Sequence, residues 1–442
     1  MHEILNRIRR NFQNIQNCFK LKFAKNQTSP PRYILFEDFL TYETTINLLG
    51  FTFVERNRDK LNKWLKWNGF CFQLLIFLFL ILELVSFILS LYNNNVPFML
   101  ENALLIGVFF VVLFKGIIIF HVNAKKILEI IKKLDEYFPH SGVDQLSFKV
   151  HTYLRINRWL ENSYYFRLTF IVLHLTLMPC LHQLYGILYS VEVEWELMFN
   201  LDLSVDLLQP FVYELVSIIE VLLMIASSIY IICTDLLFVD LVHVLVMEFD
   251  ILCIKIIEIG LIKDEQEAIR ELKNLINVHQ KLIEISQKLN KVFSPLQLIN
   301  AFGTIVALCF GCFLVVVALK MNKFNFLWNN YLIIYFQSGI SPYFIVKFYV
   351  FPVLVPLQIF ALCYFPQLLI NSSTAICTSA YNIEWYSRSV KFQHYLLLIM
   401  LRAQKPQTIK AWKFFDMSLE IFQWIMTTSY SYYSVLKSTY GL

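Results

Sequence analysis

Glycine is scarce in this chain, with 11 in 442 residues, and no glycine cluster is present. Backbone amides need glycine to approach a phosphate closely, so nucleotide-cradling loops are excluded; GxxxxGK[ST], GxSxG and HExxH are also missing. Charge is equally thin, at 16% of residues. The first 60 residues hold no apolar core ahead of a small-residue cleavage site, so no removable targeting segment is expected. Nothing here assembles a catalytic constellation, and no enzyme, cofactor or metal chemistry is expected.

Hydrophobic residues make up 57% of the chain, and the mean hydropathy is +0.55. Several apolar runs reach about 20 residues, the length that crosses a bilayer core. These predict an all-α polytopic membrane protein with seven spans: 67–91, 98–121, 166–189, 210–233, 298–321, 342–366 and 414–437. The remaining segments are 1–66, 122–165, 190–209, 234–297, 322–341, 367–413 and a tail, 438–442.

Lysine and arginine are missing from one side of this layout. Segments 1–66, 122–163, 234–297 and 371–413 hold 32 of the 38 basic residues, whereas 92–97 and 190–209 hold none and 322–341 only Lys323. Positive charge stays on the cytoplasmic side, which places the N-terminus inside and the C-terminus outside. The net charge of +5 follows from this sidedness and implies no nucleic-acid partner. The acceptor-like strings at Asn26 and Asn371 fall on the cytoplasmic side, where glycosylation does not occur. Cys309 and Cys312 have metal-ligand spacing but lie in "VALCFGCFLVVV" with no second pair, so packing explains them better.

Helical periodicity continues past the spans. Ile127, Leu128, Ile130, Ile131 and Leu134 interleave with Lys125, Lys126, Lys132 and Lys133 as a basic amphipathic helix. Leu272, Leu275, Ile276, His279, Leu282, Ile283, Ser286, Leu289 and Phe293 form a packing seam. "HYLLLIML" is too short to span, and Pro406 should break the helix that carries it. Together these segments predict a cytoplasmic helical anchor bundle built from extensions of spans 4, 5 and 6 and the helix before span 7.

The last span ends in "IMTTSYSYYSVLKSTYGL". On a helix, Thr428, Ser431, Val435, Ser438 and Thr439 share a face. Small hydroxyls interrupted by one aliphatic residue suit either a water path with a hydrophobic constriction or close helix packing. The tyrosines are expected behind this face, packing or anchoring at the interface. Glu83, Glu101, Lys115, Glu214, Glu220 and Lys347 are formally intramembrane charges, which are costly and therefore often functional. Depth alone would allow a Glu214–Lys347 pair across spans 4 and 6. The outer loop 190–209 is acidic; a merely solvated loop explains this more simply, and concentrating cations at the mouth is the alternative.

"LQIFALCYFPQLLINSSTAICTSAYNIEWY" and "QHYLLLIMLRAQKPQTIKAWKFFDMSLEIFQWIMTTSYSYYSVLK" resemble the end of the insect odorant receptor family, with Cys363, Tyr381, Trp385 and the Arg-x-Gln-x-Pro break in place. "TDLLFVDLVHVLVMEFDIL" and "LINVHQKLIEISQKLNKVFSPLQL" resemble its segments around the second cytoplasmic loop. Pro366 departs from the family's usual glycine. The resemblance implies a tetrameric, odorant-gated cation channel in the plasma membrane, working with a shared co-receptor and lined by the last helix. Val435 would then be the gate. The co-receptor's longer second cytoplasmic loop has no counterpart here, which implies a ligand-tuning subunit.

A volatile organic ligand would need an apolar pocket in the outer half of the helices with a few polar groups. His174, Met178, His182 and Tyr185 share a face of span 3, of which the last three lie outermost. Tyr213, Glu214 and Ser217 enter on span 4, and Tyr343, Lys347 and Phe351 on span 6. The chosen lining residues are Met178, His182, Tyr185, Tyr213, Ser217, Tyr343 and Phe351. Gustatory receptors share the architecture but end in Thr-Tyr, five residues, then Gln-Phe, a string missing here. A G-protein-coupled receptor needs the reverse topology, and a transporter needs internal repeats.

Overall fold

The structure, a computed structural model, describes residues 34–40, 63–93, 96–189, 199, 210–321 and 342–439. Ten helices dominate it. Helix α1 (Lys63–Tyr92) turns back into α2 (Val96–Gly116), and a π-helical segment, Ile117–Val122, leads to α3 (Ala124–Tyr137). A short α4 (Gly142–Ser147) precedes four long helices: α5 (Val150–Tyr189), α6 (Pro210–Leu261), α7 (Glu265–Met321) and α8 (Pro342–Tyr381). Helix α9 (Val390–Ala403), a hairpin of β1 (Lys410–Ala411) and β2 (Phe415–Asp416), and α10 (Leu419–Thr439) complete the chain.

Length alone sets the architecture of the long helices. The 52 residues of α6 extend about 78 Å and the 57 of α7 about 85 Å, against about 30 Å of hydrocarbon. Each must therefore leave the membrane as a helix, and the emergent halves pack together with α8 and α9. Helix α6 is the axis of this bundle: every residue from 232 to 249 is buried, which fits a helix apolar on nearly all sides. The seam of α7 packs against it, with Leu272, Leu282, Ser286, Leu289 and Phe293 all buried.

Helix α3 packs on protein through Ile127, Ile130, Ile131 and Leu134, leaving Lys125, Lys126 and Lys132 exposed. It is tied to α7 by Lys288 and Glu129, 2.5 Å apart, and the ammonium holds the Glu129 carboxyl below the usual carboxylate range. Ahead of it, Phe36 and Phe39 close on Phe138 edge-to-face, and Gln145 hydrogen-bonds both the N–H and the carbonyl of Ile34.

Five helices are long and apolar enough to cross a membrane over described residues: 69–92, 101–122, 212–261, 265–313 and 353–381. Helices α5 and α10 stand where the third and seventh spans were predicted, and hydroxyls lower the hydropathy of α10. Two helix starts differ from the predicted span starts. Helix α5 starts at Val150 rather than at 166, so the segment 122–165 holds the expected amphipathic helix α3, then α4 and the first part of α5. Helix α10 begins at Leu419 rather than Phe414, because residues 410–416 form the antiparallel hairpin, with Lys410 opposite Asp416 and Ala411 opposite Phe415. Ser418 then opens the helix, its hydroxyl accepting from the Ile421 N–H at 3.4 Å.

Candidate functional site: the last helix and the buried polar groups around it

Helix α10 packs on α7 and α8 through one side. Ile425 and Ser429 are buried, Phe422 meets Phe360 edge-to-face at 5.4 Å, and Tyr433 is half-buried. Ser431, Val435 and Ser438 are exposed on the other side, Val435 by 62%, and Thr428 is half-buried at the edge. The predicted stripe therefore points away from its own subunit. Tyr430, 69% exposed, is also on the open side, beside the stripe rather than behind it, and of the two expected roles it does not pack on its own subunit; its ring leans on Tyr433 at 6.1 Å. Thr439 ends the helix, and its side chain lies outside the described residues.

The hydroxyls of α10 largely satisfy themselves. Thr427, Ser429, Ser431 and Ser434 each donate to the carbonyl four residues back, at 2.8–2.9 Å. Such back-bonding removes the donor that lipid could not serve, so these hydroxyls tolerate an apolar neighbour and still offer lone pairs to water.

Of the predicted pocket residues, Tyr213 is buried and Ser217 half-buried on α6, whereas Glu214 is exposed. Met178, His182 and Tyr185 lie on α5, and Tyr343, Lys347 and Phe351 on α8, with side chains outside the described residues. The Glu214–Lys347 pair therefore lies outside them too. His174 stacks on Phe170 with ring centroids 5.7 Å apart. Phe199, from the acidic outer loop, packs against Phe79 and Phe109, and its N–H donates to Glu220 at 3.2 Å. Phe199 thus sits between α1, α2 and α6.

Lys115 has a partner that depth arguments missed. Its ammonium lies 2.7 Å from Asp235, with side-chain exposures of 1% and 3%, and Gln358 donates to the other Asp235 oxygen at 2.6 Å. Helices α2, α6 and α8 are joined at one point. A second network knits α5 to α6: the Tyr153 hydroxyl donates to Asp250 at 2.6 Å, His243 hydrogen-bonds Asn157, and burial beside Asp250 pushes the Tyr153 phenol well up. Aspartates within a hydrophobic run signal such pairs, but their partners stand about 100 residues away.

A seven-span helical chain with a cytoplasmic bundle and a polar-faced last helix defines a class of membrane receptor. The profile of one family, described as 7tm Odorant receptor, matches residues 95–430. The chain belongs to that family. Odorant receptor 49a of Drosophila melanogaster is 25% identical over 73% of this chain and 76% of its own length. Odorant receptor 85b of the same species is 25% identical over 47% of this chain and 48% of its own, and several other curated relatives are likewise matched over about half their length. Among solved structures, the insect olfactory receptor OR5 from Machilis hrabei in complex with eugenol aligns with TM-score 0.73 over 91% of this chain and 97% of that one. The identity there is 17%, so the likeness carries the fold.

Proposed function

We propose that the chain is an odorant receptor: a ligand-tuning subunit of an odorant-gated, non-selective cation channel in the plasma membrane, assembled as a tetramer with a co-receptor. The observation that carries this is the outward face of α10, where Ser431 and Ser438 flank Val435 and none of the three is buried against its own subunit. Four such faces around an axis make a polar path narrowed by a ring of valines, and such a constriction gates by dewetting. Family membership supports the reading, as does the direct turn from α6 to α7 between Leu261 and Glu265, which leaves no room for a long loop.

Small volatile hydrophobic molecules would bind in the outer half of the helices, among Met178, His182, Tyr185, Tyr213, Ser217, Tyr343 and Phe351. Burying hydrocarbon there contributes about 0.8 kcal/mol per methylene. The test is current recording: the chain is expressed with and without an insect co-receptor, and a volatile panel is applied while internal GTP is removed. Odorant currents that survive without GTP are expected. Loss of every response would sink the channel reading.

A further inference from the structure

Helix α10 does not continue from α9. Between them, residues 404–418 are fastened to two other helices, largely through main-chain groups. The Lys410 N–H donates to Asn290 Oδ1 at 2.7 Å and the Trp412 N–H to the Ser294 carbonyl at 3.1 Å, both on α7. On α8, the Ser373 hydroxyl accepts from the Gln407 N–H at 3.0 Å, and Gln367 Oε1 accepts from the N–H of Leu419, the first residue of α10, at 3.4 Å. Asn371 Oδ1 takes the other end of the Gln367 amide at 3.1 Å, which orients it. Ile409, Ala411 and Met417 are fully buried between these attachments, and the hairpin closes on itself through the Met417 N–H and the Ile409 carbonyl, 2.7 Å apart.

The attachment on α7 falls at a particular turn. Pro295 has no N–H, so the Lys291 carbonyl loses its helical donor beside Asn290 and Ser294, where the helix bends most readily. Trp412 holds φ at 55°, the left-handed region that a tryptophan adopts only when its surroundings impose it. That conformation carries its N–H to α7 while the side chain faces outward.

We infer that Asn290 and Gln367 are positioning residues for the pore helix: through them the hairpin bolts the inner end of α10 to α7 and α8, so that movement of either helix becomes tilt of α10. This rests on the pore reading above. Leu419 and Val435 are separated by 16 residues, about 24 Å of helix, so a tilt of about 5° about the bolted end moves Val435 by about 2 Å. The attachment also specifies direction. Helix α8 carries Tyr343 and Phe351 at its outer end and Gln367 further along, so a ligand that shifts α8 would reach the gate without touching α10.

The test uses the full chain with Val435→Cys, co-expressed with an insect co-receptor, a charged methanethiosulfonate reagent applied from outside, and no odorant. Adding Asn290→Ala or Gln367→Ala should raise both the ligand-free current and the rate of thiol modification per surface receptor by about fivefold or more. Asn290→Asp, which keeps the acceptor, should hold the parent rate. A merely structural clip would lower the surface amount and leave the per-receptor rate unchanged, which would overturn the inference while the pore reading stands. If Val435→Cys alone never reacts, even while the volatile panel is applied, the pore reading fails and takes this inference with it.

Discussion

A lysine ammonium alone between α2, α6 and α8 would be untenable, and Asp235 with Gln358 is what makes Lys115 tolerable there. Removing one member of a buried pair leaves the other charge uncompensated, at a cost of about 3–5 kcal/mol. Asp235→Leu or Lys115→Met singly should therefore lower the thermal midpoint in detergent and the surface amount sharply. The Lys115→Met/Asp235→Leu double variant should recover most of both, because two apolar groups fill the site without a stranded charge; a double variant as unstable as either single one would contradict this account. Lys115 stands out in the sequence because membrane charges are rare. Asp235 does not, since it falls where the span gives way to the cytoplasmic extension, and nothing in a linear pattern joins positions 120 apart. Hydroxyl residues show the opposite case: Ser431 and Ser434 look as though they need a partner, and the helix itself supplies it.

Among the elements, the joint between α8 and α9 repeats the logic of the hairpin. Arg388 donates to the carbonyls of Gly260 at 2.9 Å and Ile262 at 2.6 Å, groups left without helical donors at the end of α6, and pairs with Glu265 at 3.3 Å at the start of α7. Arg388→Ala should cost about 2–3 kcal/mol in stability, and Arg388→Lys should rescue little, because one ammonium cannot span three acceptors arranged for a planar fork. Wild-type stability in the lysine variant would contradict this. Gly260 has a second constraint, since a Cβ there would meet the Ile383 side chain at 3.0 Å. Gly260→Val should thus destabilise by about 1–3 kcal/mol, read as a lower thermal midpoint. Elements of strong periodicity were legible in advance: the seams of α3 and α7 and the break at Pro406 are where apolar spacing and proline chemistry put them. The hairpin was not. Strands of two residues carry no periodic signal, and hydrogen bonds to Asn290 and Ser294, about 120 residues upstream, decide its path.

At the scale of the whole molecule, hydropathy and the lysine–arginine asymmetry were enough for an all-α membrane architecture, because a bilayer leaves few alternatives to helices. The placement of pocket residues was not legible to the same degree. Depth and helix face can be counted, but which faces converge depends on crossing angles between long helices. The proposed assembly needs a contact surface: in the cytoplasmic extensions, Val390, Leu397, Leu398 and Leu401 of α9 and Ile257 and Leu261 of α6 are exposed apolar side chains. Neighbouring subunits would cover them. Leu397→Ser/Leu398→Ser/Leu401→Ser should shift the assembly from tetramer towards monomer on a native gel while the monomer stays folded; an unchanged tetramer would place the subunit contact elsewhere.

The pore face of α10 is the central claim, and cysteine scanning along that helix tests it most directly. Cysteines placed one at a time at Ser431, Val435, Ser438, Ser429 and Tyr433 are exposed to an external thiol reagent while odorant-evoked current is recorded. Block is predicted at Ser431, Val435 and Ser438, with Ser429 and Tyr433, on the side packed against α7 and α8, unaffected. Block confined to Ser429 and Tyr433 would put the water path on the other face and contradict the account.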